Sequence, residues 1–312
     1  MVKGGAFGPD IAVFQESQKS AEGRRWWAEL PAIVAELERE WGIDAGLPFA
    51  GGGASWVAPA RTARGRSAVL KVNLPHREAR NEAAALSLWD GAGAVRLYRS
   101  DAERWALLVE RCEPGVSLMA TRLDPEESLR AAAGVLRRLW SAVVPQHSSL
   151  ESLGDVTAEW AALVRQRMAR YRPRLDAGLV ELGAQLLERL PLEPVARTVV
   201  LHGDFNPGNV LAAEREPWLA IDAKPMVGDA AYDPVPMIGQ IGDLYDLRQT
   251  DDVLVRRHEL FADLVELPAD RVIAWAVARL VEGALWYVSR DEENEARGSM
   301  HVAAKLASLA GL

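Results

Sequence analysis

Asp204, Asn209 and Asp222 each end in a side-chain oxygen, and all three lie in one stretch, VVLHGDFNPGNVLAAEREPWLAID, spanning 199–222. Such oxygens can bind a hard divalent cation or take a proton from a substrate. Taken singly, each has an ordinary explanation, because Asp and Asn are frequent turn residues. The loop Gly203-Asp204-Phe205-Asn206-Pro207-Gly208-Asn209 is dense in turn formers and suits a tight fold that presents side chains. A carboxylate, an amide five residues on and a second carboxylate thirteen beyond that, flanked by apolar strands, is far less ordinary.

Phosphoryl transfer calls for this set. One acid aims the attacking hydroxyl and takes its proton, and two further oxygens hold Mg²⁺ against the phosphates. Something else must hold the phosphates. Ser67 to Val72 (SAVLKV) predicts a strand with Lys71 towards its end. There a lysine is either a solvated terminus or a partner for phosphate oxygens. Arg77 to Trp89 predicts a helix with Glu82 near its middle, and if that helix packs on the sheet Glu82 can reach Lys71. In FAGGGASWVAPA, Gly51, Gly52 and Gly53 precede Ser55. They suit a backbone that approaches a ligand closely, with a flexible hairpin tip as the plain alternative.

The elements that position these groups follow from spacing. Residues 1–20 carry little pattern and predict an irregular leader. Glu22–Trp41 has helical periodicity, with a break, kink or restart expected at Pro31. Strands are expected over 94–97 and 105–110, followed by a Pro-Gly break in LLVERCEPGVSL where a hinge would sit. Beyond it the pattern is helical. Asp124 caps a helix with Pro125 at its first position and Glu127 completing the cap, running to about Ser141. Further helices are expected over 157–171, 174–190, 251–265, 269–289 and 298–309. The sequence thus predicts an α+β architecture: a strand-rich first lobe (residues 1–112) and a larger, mainly helical second lobe (113–312).

Composition sets outer bounds. The 312 residues are 49% hydrophobic and 26% charged, enough apolar chain for a large core. No apolar run is long enough to predict a membrane span, and no signal-peptide pattern opens the chain. Cys112 is the single cysteine, which excludes an internal disulfide and fits a reducing, cytoplasmic setting. The five histidines lack zinc spacing. The net charge of −8 arises in residues 113–312, where 21 basic face 30 acidic side chains, while residues 1–112 carry a net +1. That excludes a nucleic-acid binder's basic face and is compatible with a cationic small ligand, or with plain solubilising charge.

His202-Gly203-Asp204 followed by Asn209, and then Ile221-Asp222, resembles the aminoglycoside phosphotransferase family, whose members share the protein-kinase-like fold. Ala212–Pro234 is similar to its branch of streptomycin 6-phosphotransferases and hydroxyurea-resistance kinases. The resemblance implies a bilobal fold with ATP and Mg²⁺ between the lobes. It makes Asp204 the catalytic base, Asn209 and Asp222 the metal ligands, and Lys71 the phosphate partner steadied by Glu82. By position it makes Gly52, Gly53 and Ser55 a phosphate loop, and Glu110, Arg111 and Cys112 the hinge that meets adenine through its backbone. Ala223-Lys224 stands where protein kinases have Phe-Gly.

The resemblance favours a small cationic antibiotic, streptomycin first, as the hydroxyl acceptor. Hydroxyurea, a metabolite, or an inactive binding module are the alternatives. Asp229, Asp233, Glu282 and Trp286 are substrate-side candidates. Asp229 and Asp233 have an alternative role in capping a helix or bracing the catalytic loop, and Glu282 in pairing with Arg279. Asp243 and Asp246 are weaker candidates. A monomer or weak dimer is expected.

Overall fold

Lys71 alternates with Leu70 and Val72 along one strand, and that alternation organises the first unit. In a strand, neighbouring side chains point to opposite faces. Leu70 and Val72 therefore enter an apolar core while Lys71 faces the other way. The computed structural model describes residues 6–51, 53–245 and 249–312. It divides the chain into two units: Met1–Gly115 with Ala212–Leu219, and Val116–Leu211 with Ala220–Leu312.

The first unit opens with α1 (Ala12–Ser17) and α2 (Ala21–Trp41), followed by β1 (Ile43–Ala45), β2 (Ser55–Thr62) and β3 (Ser67–Asn73). A 3-10 segment, Arg77–Asn81, leads into α3 (Glu82–Trp89), and β4 (Leu97–Asp101) and β5 (Ala106–Glu110) complete the sheet. The strand order is β1-β2-β3-β5-β4, antiparallel throughout. Trp26, Leu30, Val34 and Leu37 of α2 join Trp56, Ala58, Leu70, Val72 and Leu108 in one core.

Three expectations change here. The leader contains α1, whose Val13 is buried in that core. Helix α2 runs through Pro31 without ending, at the loss of one backbone hydrogen bond. Leu30 and Val34, buried on either side, hold both halves to the same core. The helix expected over 77–89 is split, because Asn81 sits at φ −104°, ψ 1°. Glu82 therefore begins α3 instead of lying at its middle, and a carboxylate is favoured at a helix N-terminus.

The second unit begins with α4 (Pro125–Leu139), whose capping box pairs Asp124 and Glu127 reciprocally. Then come β6 (Glu151–Ser152), α5 (Leu153–Tyr171), α6 (Ala177–Arg189), β7 (Thr198–Leu201), β8 (Val210–Ala212), β9 (Trp218–Ala220) and β10 (Met226–Asp229), with Ala212–Leu219 of the β8–β9 stretch counted in the first unit. The unit closes with α7 (Pro234–Gln240), α8 (Asp251–Val265), α9 (Ala269–Val288) and α10 (Glu293–Ala310). Helix α7, with Pro234 at its first position, had no counterpart in the sequence reading. Helix α9 is apolar around much of its circumference and is buried accordingly; Val272, Trp275, Val277, Val281 and Leu285 are all core residues. Strand β10 lies between β7, antiparallel, and β6, parallel. Strands β8 and β9 form a separate two-stranded hairpin. No helix among the described residues is long and apolar enough to cross a membrane.

Candidate active site

The hairpin explains how two residues thirteen positions apart come together. Its strands pair so that the Ile221 N–H donates to the Asn209 carbonyl at 2.9 Å, which sets Asp222 beside Asn209. A second tether, from the Lys224 N–H to the His202 carbonyl at 2.8 Å, fixes the other side of Asp222. Between the tethers Asp222 adopts the left-handed conformation at φ +58°, which a non-glycine residue rarely holds without surrounding constraint. Its side chain is exposed.

His202 is fully buried and ties the same two segments together. Its Nδ1 accepts the Asp204 N–H at 3.3 Å and its Nε2 lies 3.0 Å from the Ile221 carbonyl. That partner set assigns the neutral tautomer with the proton on Nε2. Burial holds the imidazole pKa below its ordinary value, against the pull of nearby carboxylates. Asp233 then braces the loop from behind. Its two carboxylate oxygens accept the N–H groups of His202 and Gly203, both at 2.9 Å, and Trp140 Nε1 donates to it at 3.2 Å. Burial pushes the Asp233 carboxyl above the usual range, and the three N–H donors oppose that shift.

Asp204 occupies the centre of this frame, half-buried. Asn206 Nδ2 donates to its Oδ1 at 3.1 Å, and Lys224 Nζ lies 3.3 Å from its Oδ2. Asn209 Nδ2 donates to the Asp204 main-chain carbonyl at 3.0 Å. That bond fixes the amide so that Oδ1 remains as an acceptor that could bind a metal. Among the described residues no group of three or more His, Cys, Asp and Glu could hold a metal by itself. One carboxylate, one amide oxygen and bound phosphates are a donor set that suits Mg²⁺, which keeps several waters. The residues present fit that ion.

In the first unit, Lys71 Nζ donates to both oxygens of Glu82, at 2.8 and 2.7 Å. Lys71 is 7% exposed and Glu82 4%, so the lysine is not a solvated strand end. Ser55 is different. Its hydroxyl is buried and donates to Asn73 Oδ1 at 2.6 Å, which commits it to the sheet instead of to a phosphate. Gly53 is exposed, and a Cβ added there would meet nothing within 4 Å. Gly52 lies outside the described residues.

At the expected hinge, Glu110 is tied by both its main chain and its side chain. Its N–H donates to the Arg96 carbonyl at 2.8 Å, and its side chain accepts from Arg215 Nε and Nη2, each at 2.9 Å. Burial raises its carboxyl pKa, but Arg215 and the Arg96 N–H outweigh burial and hold it below the usual range. Arg111 pairs with Glu113 at 3.4 Å. Cys112 is buried, and burial pushes its thiol up to about 12, so it is no nucleophile at neutral pH.

Two substrate-side candidates are structural. Asp229 is 3% exposed and accepts from Trp275 Nε1 at 2.6 Å, Arg271 Nε at 2.6 Å and the Ala231 N–H at 3.1 Å. Asp233, at 0% exposure, braces His202 and Gly203. Neither carboxylate can face a ligand. Glu282 pairs with Arg167 at 3.1 Å, whereas Arg279 lies over the Tyr232 ring at 4.4 Å. Trp286 is 41% exposed, with the Arg290 guanidinium 4.6 Å from its ring. Asp243 is exposed and Asp246 lies outside the described residues. Sequence reasoning missed the parts played by Asn206 and Lys224 around Asp204. The available signal was the short spacing of each from a candidate acid.

Comparison with known proteins bears on the same residues. Residues 40–291 match the family described as aminoglycoside/hydroxyurea antibiotic resistance kinase. The chain is 36% identical over 266 residues to the streptomycin 6-kinase of Streptomyces glaucescens, covering 85% of each protein. It is 35% identical over 279 residues to the hydroxyurea phosphotransferase of Kitasatospora aureofaciens, covering 87% of this chain and 77% of that one. Among solved structures, spectinomycin phosphotransferase with ADP and spectinomycin is similar in fold, with a TM-score of 0.59 at 15% identity and coverage of 88% and 92%. The choline kinase of Streptococcus pneumoniae has the same TM-score and identity, with coverage of 90% and 99%. These two neighbours fix the fold as protein-kinase-like. Since the family match spans the Lys71–Glu82 pair and the tethered loop from His202 to Lys224, the chain belongs to the aminoglycoside/hydroxyurea antibiotic resistance kinases.

Proposed function

We propose that the protein transfers the γ-phosphoryl group of ATP to a hydroxyl of an aminoglycoside, with streptomycin as the acceptor, in a reducing cytoplasm. The observation that carries this reading is the tethered set of Asp204, Asn209 and Asp222, held by the hairpin and by His202. In this reading the Asp204 carboxylate accepts a hydrogen bond from the acceptor hydroxyl and takes its proton as the oxygen attacks phosphorus. Asn209 Oδ1 and Asp222 would hold Mg²⁺, which when bound neutralises phosphate charge. Lys71, steadied by Glu82, would pair with phosphate oxygens. Asp204 and its neighbours supply positioning, which is most of what this reaction requires of a protein.

The choice of streptomycin is supported by the 36% identity to a streptomycin 6-kinase, and that of ATP by the ADP and AMP bound in structural relatives. The hydroxyurea phosphotransferase relative, 35% identical, supports hydroxyurea as the second acceptor to test. The experiment is ADP release by purified protein with Mg²⁺·ATP and a panel containing streptomycin, other aminoglycosides and hydroxyurea. Streptomycin-dependent ADP release that Asp204→Asn abolishes is the expected result. Turnover with hydroxyurea alone would replace the acceptor, and full activity of Asp204→Asn would overturn the mechanism.

A further inference from the structure

Between His202 and Lys224 the chain has two permanent cations, Arg215 and Lys224. Arg215 is spent on structure: it donates to Glu110, to Glu216 and to the carbonyls of Gly91 and Ala94. Lys224 is placed otherwise. Its main chain is fixed by the N–H bond to His202, and its carbonyl presses on Gly203, where a Cβ would fall 1.9 Å from that oxygen. Its side chain, 40% exposed, reaches back over the loop to bring Nζ within 3.3 Å of Asp204 Oδ2. An ion pair this exposed contributes at most about 1 kcal/mol to stability. That pair sets the ammonium beside the carboxylate that the phosphotransferase reading makes the base.

We infer that Lys224 is a second catalytic side chain of the transfer, its ammonium contacting the phosphoryl group while Asp204 holds the acceptor hydroxyl. The inference rests on the phosphotransferase reading above. A hydroxyl bound to Asp204 lies about 3 Å from the carboxylate, and the phosphorus it attacks lies about 3–3.5 Å further on. A four-carbon stem anchored beside that carboxylate spans this gap by rotation alone.

Charge accounting supplies the catalysis. The O–H bond of the acceptor breaks and its proton goes to Asp204; the oxygen bonds to the γ-phosphorus; the bond from that phosphorus to the bridging oxygen breaks, and ADP leaves with the electron pair. Lys224 stays protonated throughout. Before the transfer its charge is balanced by the Asp204 carboxylate. After it Asp204 is neutral, and the whole positive charge faces the arriving phosphoryl oxygens. An interaction that strengthens along the reaction lowers the barrier, which uniform binding does not.

The test uses Lys224→Ala, Lys224→Gln and Lys224→Arg in the full-length protein. Two readouts apply: steady-state kinetics, and Mg²⁺-dependent binding of ADP and of a non-hydrolysable ATP analogue followed by tryptophan fluorescence. Removing one such donor is expected to lower kcat about 10²–10³-fold, with Lys224→Arg recovering about tenfold or more. ADP affinity and acceptor KM should stay within about threefold of wild type, while the preference for the analogue over ADP drops about tenfold.

A kcat within about threefold of wild type, or above it, overturns the inference, the latter making Lys224 a brake on Asp204. Equal loss of ADP and analogue binding also overturns it, by making the lysine structural. If Lys224→Ala does not fold, Lys224→Gln keeps the stem length and is read the same way. Wild type that turns over no acceptor fails the broader reading, and the analogue-to-ADP preference of the variants still decides Lys224 there.

Discussion

The carbonyl oxygen of Lys224 occupies the space in which a side chain at Gly203 would have to begin, 1.9 Å from an ideal Cβ. Gly203 also sits at φ +80°, a conformation that L side chains rarely adopt. The glycine before Asp204 is therefore required twice, by conformation and by contact. Gly203→Ala must push the 222–224 segment away from the loop, opening the tether between Lys224 and His202. Its expected signature is a loss of about 2–4 kcal/mol in chemical denaturation together with loss of turnover, since Asp204 and Asp222 move apart.

Asp233 and Asp229 separate by function although both are buried. Asp233→Asn puts an amide donor against backbone N–H groups of His202 or Gly203, at a cost of about 2–4 kcal/mol. Because those groups frame Asp204, kcat should fall as well. Asp229→Asn weakens its bonds to Arg271 and Trp275 and should also destabilise, but the folded fraction should keep kcat and acceptor KM. A raised acceptor KM in Asp229→Asn would restore the substrate role that burial argues against.

The Lys71–Glu82 pair gives a prediction that dissociates stability from activity. Removing Glu82 alone takes the bidentate carboxylate from a buried ammonium, expected to cost about 3–5 kcal/mol and to raise the KM for ATP. Replacing both, as Lys71→Met with Glu82→Leu, should return most of the thermal stability because apolar side chains of similar volume avoid the desolvation cost. It should return no activity. Recovery of turnover in the double variant would show that the pair does not act on the nucleotide.

His258 predicts the acid limit of folding. It is fully buried, bonded through Nδ1 to the Leu254 carbonyl at 2.8 Å and through Nε2 to the Tyr245 hydroxyl at 3.2 Å. Burial lowers its pKa from 6.5 to about 4. The unfolded chain thus binds a proton that the native state refuses. The stabilisation is complete above pH 6.5 and is lost as pH falls towards about 4, roughly 3 kcal/mol in all. Denaturation of wild type and His258→Gln between pH 7 and pH 4 should show a shallower pH slope in the variant.

Much of the second unit was legible because its signals are local. The Asp124–Glu127 cap, the periodicity of α8 and α9 and the strand–loop–strand pattern around Asp204 each depend on residues close in sequence. The same reading took Glu82 as mid-helix, because the interruption at Asn81 is a matter of two dihedral angles and not of composition. It also offered Ser55 to a phosphate, and left Asp229 and Asp233 between a substrate role and capping a helix or bracing the loop. Burial and the identity of their partners across 18 to 93 residues decided each case, and neither is written in spacing.

The amino-acid sequence by itself determined which acids, amide and lysine this protein can use, in what order they come, and that Glu82 can reach Lys71. Tertiary structure decided which of these are presented and which are consumed. A carboxylate stays available to a ligand when it is left exposed or half-exposed, as at Asp222 and Asp204, and serves the fold when three N–H donors saturate it, as at Asp233. That choice is made by backbone closure around Gly203 and the Val210–Ala212 and Trp218–Ala220 hairpin. The same closure brought Lys224 to Asp204, because hydrogen bonds between distant segments set the position of a side chain that its neighbours in sequence leave open.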